Sequence, residues 1–293
     1  MSDAPGLRGV VARILPFSAV DGPGNRAVIF LQGCDFNCHY CHNPETRSLC
    51  VHCGICVPVC PTKALSQESV PVSEEAPYGL RVSWDPSQCI NCGACIAACP
   101  HDSSPKARTM SPTETLAAIA KYKPFLSGIT VSGGECGLQP EYLEALLVAS
   151  RAAGLPGLVD SNGSLDFSLW PRLVDAAEGF MLDVKAWDED EHQALTGLGN
   201  VMVKANLRFL LEAGKLYELR TVIAPGLFDA EKTVREVAAI LAEKDSRVRY
   251  KLIRFRPQGV REAWRDSPQP DEPTMDRLAA IARDAGLSSV IVV

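Results

Sequence analysis

Three cysteines spaced Cys34-x3-Cys38-x2-Cys41 follow directly on an apolar run, Ala27 to Leu31. Such a trio offers three thiolates to a cube of four irons and four sulfides, one fewer than a closed electron-transfer cluster takes. The fourth iron is left with an open position, and a vacant position separates a catalytic metal site from a structural one. The spacing therefore points to chemistry on a bound small molecule.

Of the twelve cysteines, eleven lie between Cys34 and Cys99, and only Cys136 falls in the remaining two-thirds. So many thiols in a reducing cytosol are read as metal ligands rather than as a disulfide framework. Cys50-x2-Cys53-x2-Cys56-x3-Cys60-Pro61 recurs as Cys89-x2-Cys92-x2-Cys95-x3-Cys99-Pro100. This internal duplication is the bacterial ferredoxin run, in which the fourth cysteine of each run serves the other cluster. One cluster is thus expected on Cys50, Cys53, Cys56 and Cys99, the other on Cys89, Cys92, Cys95 and Cys60. Zinc is the alternative, because paired Cys-x2-Cys units also bind it. Leu80, Val82 and Trp84 alternate with polar residues between the runs and predict a short strand.

The elements that must position these cysteines alternate strand and helix. Strands are expected at Arg26 to Gln32, Ile129 to Ser132, Gly157 to Asp160, Phe180 to Val184, Leu216 to Ile223, Val248 to Ile253 and Ser289 to Val293. Ser111, Pro112 and Glu114 spell a helix start with a capping box. Leu143, Leu146 and Leu147 share one face of a helix from Pro140 that Gly154 stops, and Val234, Val237, Ala238 and Leu241 mark another over Ala230 to Glu243. Such alternation implies parallel strands with helical crossovers, whose ligands sit at the carboxyl ends of the strands. Cys34, Gly133-Gly134-Glu135, Asp160-Ser161-Asn162-Gly163, and Asp183 with Lys185 each follow a strand there and converge on one mouth. Asp183 and Lys185 are alternatively a plain surface ion pair, and Cys136 a small packed side chain. The run from Asp188 to Glu191 suits a helix start, and Trp170 and Trp187 suit packing on the scaffold.

With a net charge of -6 the chain lacks the clustered cations of a nucleic-acid binder. No apolar stretch approaches a membrane span and no signal segment opens the chain, so a cytoplasmic protein is expected.

At this point the sequence resembles the radical S-adenosylmethionine (SAM) superfamily. Within it, the chain resembles the activating enzymes of glycyl radical enzymes, and most the YjjW-type branch with its ferredoxin insertion. The resemblance rests on Asp21-Gly22-Pro23-Gly24-Asn25-Arg26, Cys34 to Asn43, Ser132 to Glu135, Asp160 to Gly163, Met181 to Lys185, and Leu219-Arg220 through Pro225-Gly226. It implies an α/β fold: a partial (β/α)6 radical SAM barrel with an inserted ferredoxin-like domain carrying two [4Fe-4S] clusters. Residues 1–46 and 108–293 would form the barrel and residues 47–107 the insertion.

The implied cofactors are three [4Fe-4S] clusters, SAM and a monovalent cation. The catalytic cluster would sit on Cys34, Cys38 and Cys41. Tyr40, His42, Asn43, Gly133, Gly134, Glu135, Asp160, Ser161, Asp183, Val184, Lys185 and Arg256 would border SAM, with Glu135 accepting from its ammonium. Asp160, Ser161, Met181 and Asp183 would hold the cation. Asp21, Gly22, Pro23 and Gly24 would meet the substrate glycine of the partner, a glycyl radical enzyme, and a flavodoxin or ferredoxin would donate electrons. Related activases carry a His before x-x-Gly where this chain has Phe255-Arg256-Pro257-Gln258-Gly259, so Arg256 would stack on adenine in its place. A radical SAM enzyme acting on a small molecule or peptide, and an electron-transfer ferredoxin fused to an inert barrel, are the alternatives.

Overall fold

The computed structural model describes residues 6–244 and 247–293. Its strands are β1 (Gly9–Ser18), β2 (Arg26–Leu31), β3 (Leu65–Ser69), β4 (Leu80–Trp84), β5 (Arg108–Met110), β6 (Gly128–Gly133), β7 (Gly157–Ser161), β8 (Gly179–Asp183), β9 (Leu216–Ile223), β10 (Arg249–Arg254) and β11 (Val290–Val292). The helices are α1 (Ala94–Ala97), α2 (Pro112–Ile119), α3 (Pro140–Ala152), α4 (Pro171–Ala176), α5 (Glu189–Thr196), α6 (Val201–Glu212), α7 (Ala230–Glu243) and α8 (Glu272–Asp284).

Nine strands form one sheet in the order β11-β10-β9-β8-β7-β6-β2-β1-β5, with β3 and β4 apart as an antiparallel pair. Strands β2 and β6 to β11 run parallel, joined by helical crossovers, and make the partial barrel. The three-residue β11 is added at its edge beyond the sixth parallel strand, β10. Each expected parallel strand is present within one or two residues, while β1, β3 and β5 were not anticipated. Strand β1 pairs antiparallel with β2 and β5, and its exposed half carries Pro16, so its alternation is too broken to read.

The capping box forms as its residues require: the Ser111 hydroxyl accepts from Glu114 N at 3.2 Å and the Glu114 carboxylate from Ser111 N at 2.9 Å. Trp170 and Trp187 pack on the main core, and Asp188 caps α5. Among the described residues no helix is long and apolar enough to cross a membrane.

The barrel strands have two different faces. Ala27, Ile29, Leu31, Ile129, Val131, Val159, Leu182, Leu219 and Leu252 point outward into an apolar core shared with α3, α6, α7 and α8. The alternate positions, Thr130, Ser132, Asp160, Met181, Asp183, Glu218 and Arg220, fall on the opposite face because side-chain direction in a strand has period two. They form a polar lane down the barrel interior.

The lane is closed at the amino ends of the strands by Arg26, which is 1% exposed. Its guanidinium donates to the carbonyls of Ile129 and Pro156 at 2.7 and 2.8 Å and to Glu178 at 2.7 Å. Replacing Arg26 by Leu strands these acceptors, and a urea titration is expected to show a loss of about 3–5 kcal/mol with an unchanged m-value. A loss below about 1 kcal/mol contradicts this account.

Candidate functional site

The Cys34 to Cys41 loop is held from three sides. Its base is zipped to the loop after β6: Gly134 N donates to Leu31 O at 3.0 Å and Glu135 N to Gly33 O at 2.7 Å. From the chain that follows, Gly33 N and Cys34 N donate to Thr46 O and Arg47 O, both at 2.8 Å. From the end of α5, Asn37 N and His39 N donate to Thr196 O and Leu195 O at 2.6 and 3.0 Å, while Phe36 packs edge-on against His192.

Gly133 and Gly134 explain the zipping. A Cβ on Gly133 would lie 2.2 Å from Leu31 O, and one on Gly134 2.2 Å from Gly33 O. The close approach these glycines allow is thus to the cysteine loop's own backbone.

Cys34, Cys38 and Cys41 are free and half-buried. Burial raises all three thiols, Cys38 to about 11, with Glu135 adding to the rise at Cys34. Neutral thiols are therefore favoured until a cationic metal binds and displaces their protons. Among the described residues no three His, Cys, Asp or Glu side chains close around a point as one bare ion requires. A four-iron cube instead seats its thiolates on separate irons, and a free, soft trio on one loop fits that donor set.

Glu135 is fully buried, with Oε1 accepting from Ser161 Oγ at 2.8 Å and Gly137 N at 2.7 Å, and Oε2 from Asn162 N at 2.6 Å. These bonds leave Oε2 a lone pair for one further donor. Burial pushes its pKa up to about 7, against the lowering effect of the three donors. A carboxyl whose folded pKa exceeds its unfolded value makes the native state bind the extra proton, so stability falls as pH rises between the two. In metal-free protein, the stability difference between wild type and Glu135→Gln is expected to shift against wild type by about 3 kcal/mol from pH 4.5 to above 7. Denaturant titrations at several pH values read this directly, and parallel curves for the two proteins refute it.

The polar lane continues from Glu135. Asp160 accepts from Ser132 Oγ at 2.9 Å and from Arg220 at 3.0 Å. Arg220 also donates to Glu218 at 2.6 Å and to Met181 Sδ at 2.8 Å, and Glu218 gathers Arg249 and Lys251 within 3.5 Å. Burial opposes the Arg220 charge, but Asp160, Asp183 and Glu218 outweigh it and hold the guanidinium ionised. Lys185 pairs with Asp183 at 2.5 Å in a half-buried setting, unlike a surface ion pair, and lies over the Tyr40 ring. Burial would lower the Lys185 pKa; Asp183 raises it instead. Val184 is buried, its N–H on Arg220 O.

The proposed cation ligands are thus already engaged: Arg220 bridges Asp160 and Met181, Lys185 covers Asp183, and Ser161 serves Glu135. Cys136 is fully buried, its thiol 3.4 Å from Asp160 O, in keeping with a packed side chain.

Other predicted residues lie at the rim. Tyr40 is buried among Ala186, Leu195, Phe228 and Phe255, its hydroxyl unpartnered. His42 is exposed, stacks on Phe255, and its Nε2 meets Arg256 O at 2.8 Å. The Arg256 side chain is itself in solvent, so only its carbonyl engages the loop. Asn43 accepts from Arg13 at 2.8 Å. Asp21, Gly22, Pro23 and Gly24 lie before β2, at the other end of the lane, with Asp21 O accepting from Thr130 Oγ1 at 2.6 Å. Asp21 also raises the Asp160 pKa, after burial and Asp183, which places its charge within reach of the lane.

Sequence reasoning placed Asn162 at the mouth and Arg220 in a family motif without giving either a role, and it missed Glu218. Asn162 Nδ2 lies 3.9 Å from Cys34 Sγ and 3.1 Å from Asp35. Its place after β7 was a signal, but Glu218 and Arg220 sit inside a strand where only the interior parity reveals them.

In the insertion, Cys50, Cys53, Cys56 and Cys99 line one pocket together with His101 and Ser103. Cys60 and buried Cys95 pack beside Cys56, Leu65 and Val82; Cys89 is half-buried and Cys92 is exposed.

Residues 49–103 match the family described as a 4Fe-4S dicluster domain, and residues 20–67 a 4Fe-4S single cluster domain. The chain is 29% identical over 248 residues to the choline trimethylamine-lyase activating enzyme of Oleidesulfovibrio alaskensis, covering 80% of this chain and 78% of that one. It is 26% identical over 288 residues to the pyruvate formate-lyase-activating enzyme of Streptococcus mutans, covering 93% and 89%. The fold is similar to that of QueE from Escherichia coli, with a TM-score of 0.54, 11% identity and coverage of 98% of this chain and 94% of that one.

Proposed function

We infer the reaction of this chain from its membership of the glycyl-radical enzyme activating enzymes of the radical SAM superfamily: it activates a partner glycyl radical enzyme. When bound, an iron-sulfur cluster supplies one electron that cleaves SAM to methionine and a 5′-deoxyadenosyl radical, which takes hydrogen from one glycine of the partner. The observation that carries the reading is the trio of free thiols, Cys34, Cys38 and Cys41, set at the mouth of a barrel whose interior is polar.

We propose that this trio holds the SAM-cleaving cluster, and that the insertion, residues 47–107, holds two more. The pocket of Cys50, Cys53, Cys56 and Cys99 supports the crossed ligand pairing, leaving Cys60, Cys89, Cys92 and Cys95 for the other set. Lys185 and Arg220 would orient the SAM carboxylate by charge, supplying what a monovalent cation would otherwise bring. The Gly133 to Glu135 segment would take the ammonium, with the free lone pair of Glu135 Oε2 as acceptor. His42 and the Arg256 carbonyl would border the adenine, and Tyr40 would support the loop from beneath. Asp21 to Gly24 would meet the glycine-bearing loop of the partner. A flavodoxin or ferredoxin in the cytoplasm is the proposed donor.

The test is anaerobic incubation of iron-loaded protein, SAM, a low-potential reductant and candidate glycyl radical enzymes from the same genome. A doublet glycyl signal by electron paramagnetic resonance, dependent on SAM, is expected. SAM cleavage without any such signal on the partner overturns the reading.

A further inference from the structure

Arg261 lies on the loop after β10, far in sequence from every cysteine, yet it joins both metal-binding regions. Its Nε donates to Asp102 at 3.1 Å and its NH1 to the carbonyl of Cys38 at 3.3 Å. Asp102 is three residues past Cys99, holds a left-handed backbone conformation with φ of 49°, and also pairs with Arg47 at 3.6 Å. The carbonyl of Arg47 in turn receives Cys34 N–H, and Ser48 N donates to Asp102 O at 3.0 Å. The residue after Asp102, Ser103, lines the pocket of Cys50, Cys53, Cys56 and Cys99.

The seam is polar beyond what its own bonds consume. Arg261 NH2, Arg47 Nε and Ser103 Oγ are all buried with no hydrogen-bond partner. Three unpartnered donors at one junction are costly unless an acceptor occupies the space between them. Thiolate and sulfide sulfur of iron-sulfur groups on either side are such acceptors, and hydrogen bonds to them are among the levers on cluster potential. The same loop is fastened on both flanks of Arg261: Trp264 stacks on His39 at 4.0 Å, and Gly259 sits so close to His42 that a Cβ would lie 2.9 Å from its carbonyl oxygen.

We propose that Arg261 is a positioning residue for electron delivery, tying the inserted domain to the Cys34 to Cys41 loop and supplying the positive charge that favours one-electron reduction of the cluster held there. The inference rests on the cluster assignment made above. In the step itself an external one-electron donor is oxidised and the cluster gains the electron, with no bond made or broken. Added negative charge is stabilised by a nearby cation and opposed by a nearby carboxylate. Arg261 and Asp102 therefore act with opposite signs.

The experiment is a potentiometric titration of the iron-loaded full chain, with photoreduced 5-deazaflavin as reductant and the signal that responds to added SAM as the readout. Arg261→Met is expected to lower the reduction equilibrium about tenfold, a shift of about 59 mV to more negative potential for one electron. Arg261→Lys, which keeps the charge but not the fork, is expected to stay within about threefold of wild type. Asp102→Asn is expected to move the midpoint to more positive values. An unchanged midpoint in Arg261→Met, or both neutralising variants moving in the same direction, overturns the proposal, since a general lesion in packing has no reason to give opposite signs. A wild-type protein with no SAM-responsive signal instead overturns the cluster assignment itself.

Discussion

Replacing Cys38 by Ala is expected to abolish formation of 5′-deoxyadenosine and to lower the iron content of reconstituted protein from about twelve to about eight atoms per chain. The physical basis is the environment of the trio. Burial keeps these thiols protonated, Cys38 up to about 11, so only a bound metal makes all three into thiolates. With one ligand gone, a cube would rest on two thiolates and an extra iron would face solvent. Cys38 is half-buried at the edge of the core, so the loss of a sulfur there is tolerable to the fold. Iron and sulfide analysis with liquid chromatography of the nucleoside product measures both effects. Wild-type iron content in the variant removes Cys38 from the ligand set, and product formation at the wild-type rate removes the whole trio from the chemistry.

Gly134→Ala is expected to cost at least about 3 kcal/mol of stability and to separate the two loops that build the site. The added methyl would lie 2.2 Å from Gly33 O and 2.7 Å from Thr46 O, both backbone atoms that cannot rotate away. Relief requires breaking the bond from Glu135 N to Gly33 O, and Gly33 leads directly into Cys34. Iron loading should therefore fall along with stability. Gly154→Ala is the comparison: Gly154 has a φ of 76°, unlike Gly134, and nothing lies within 4 Å of its added Cβ, so only the left-handed backbone penalty of roughly 1–2 kcal/mol applies. Thermal or urea unfolding of the two variants gives the comparison. A loss at Gly134 no larger than that at Gly154 would show that the approach of the two loops does not demand the glycine at 134.

The polar lane gives the scaffold its function, and it was only half legible. Residues at strand ends, such as Asp160, Asp183 and Lys185, stand out because a charge after an apolar run has few structural reasons to be there. Glu218 and Arg220 interrupt a strand from within, and their meaning depends on which face of β9 looks into the barrel. The fit of Arg220 between Asp160 and Met181 likewise depends on three strands brought side by side. Gly133 and Gly134 were legible as residues at the mouth, but not what approaches them, which is the backbone of the cysteine loop.

From the order of residues alone came everything governed by local chemistry: thiol spacing that offers three or four ligands, a duplicated run, a capping box at Ser111, and apolar periodicities that set helices and parallel strands. Short-range geometry suffices for these, because two or three peptide units limit how far neighbouring side chains can lie from one another. The folded chain alone decided which other distant groups share a bond, as Glu135 does with Asn162 and Arg261 with Cys38. Those contacts are fixed by sheet order and by the packing of helices outside it, and neither is encoded in any one segment.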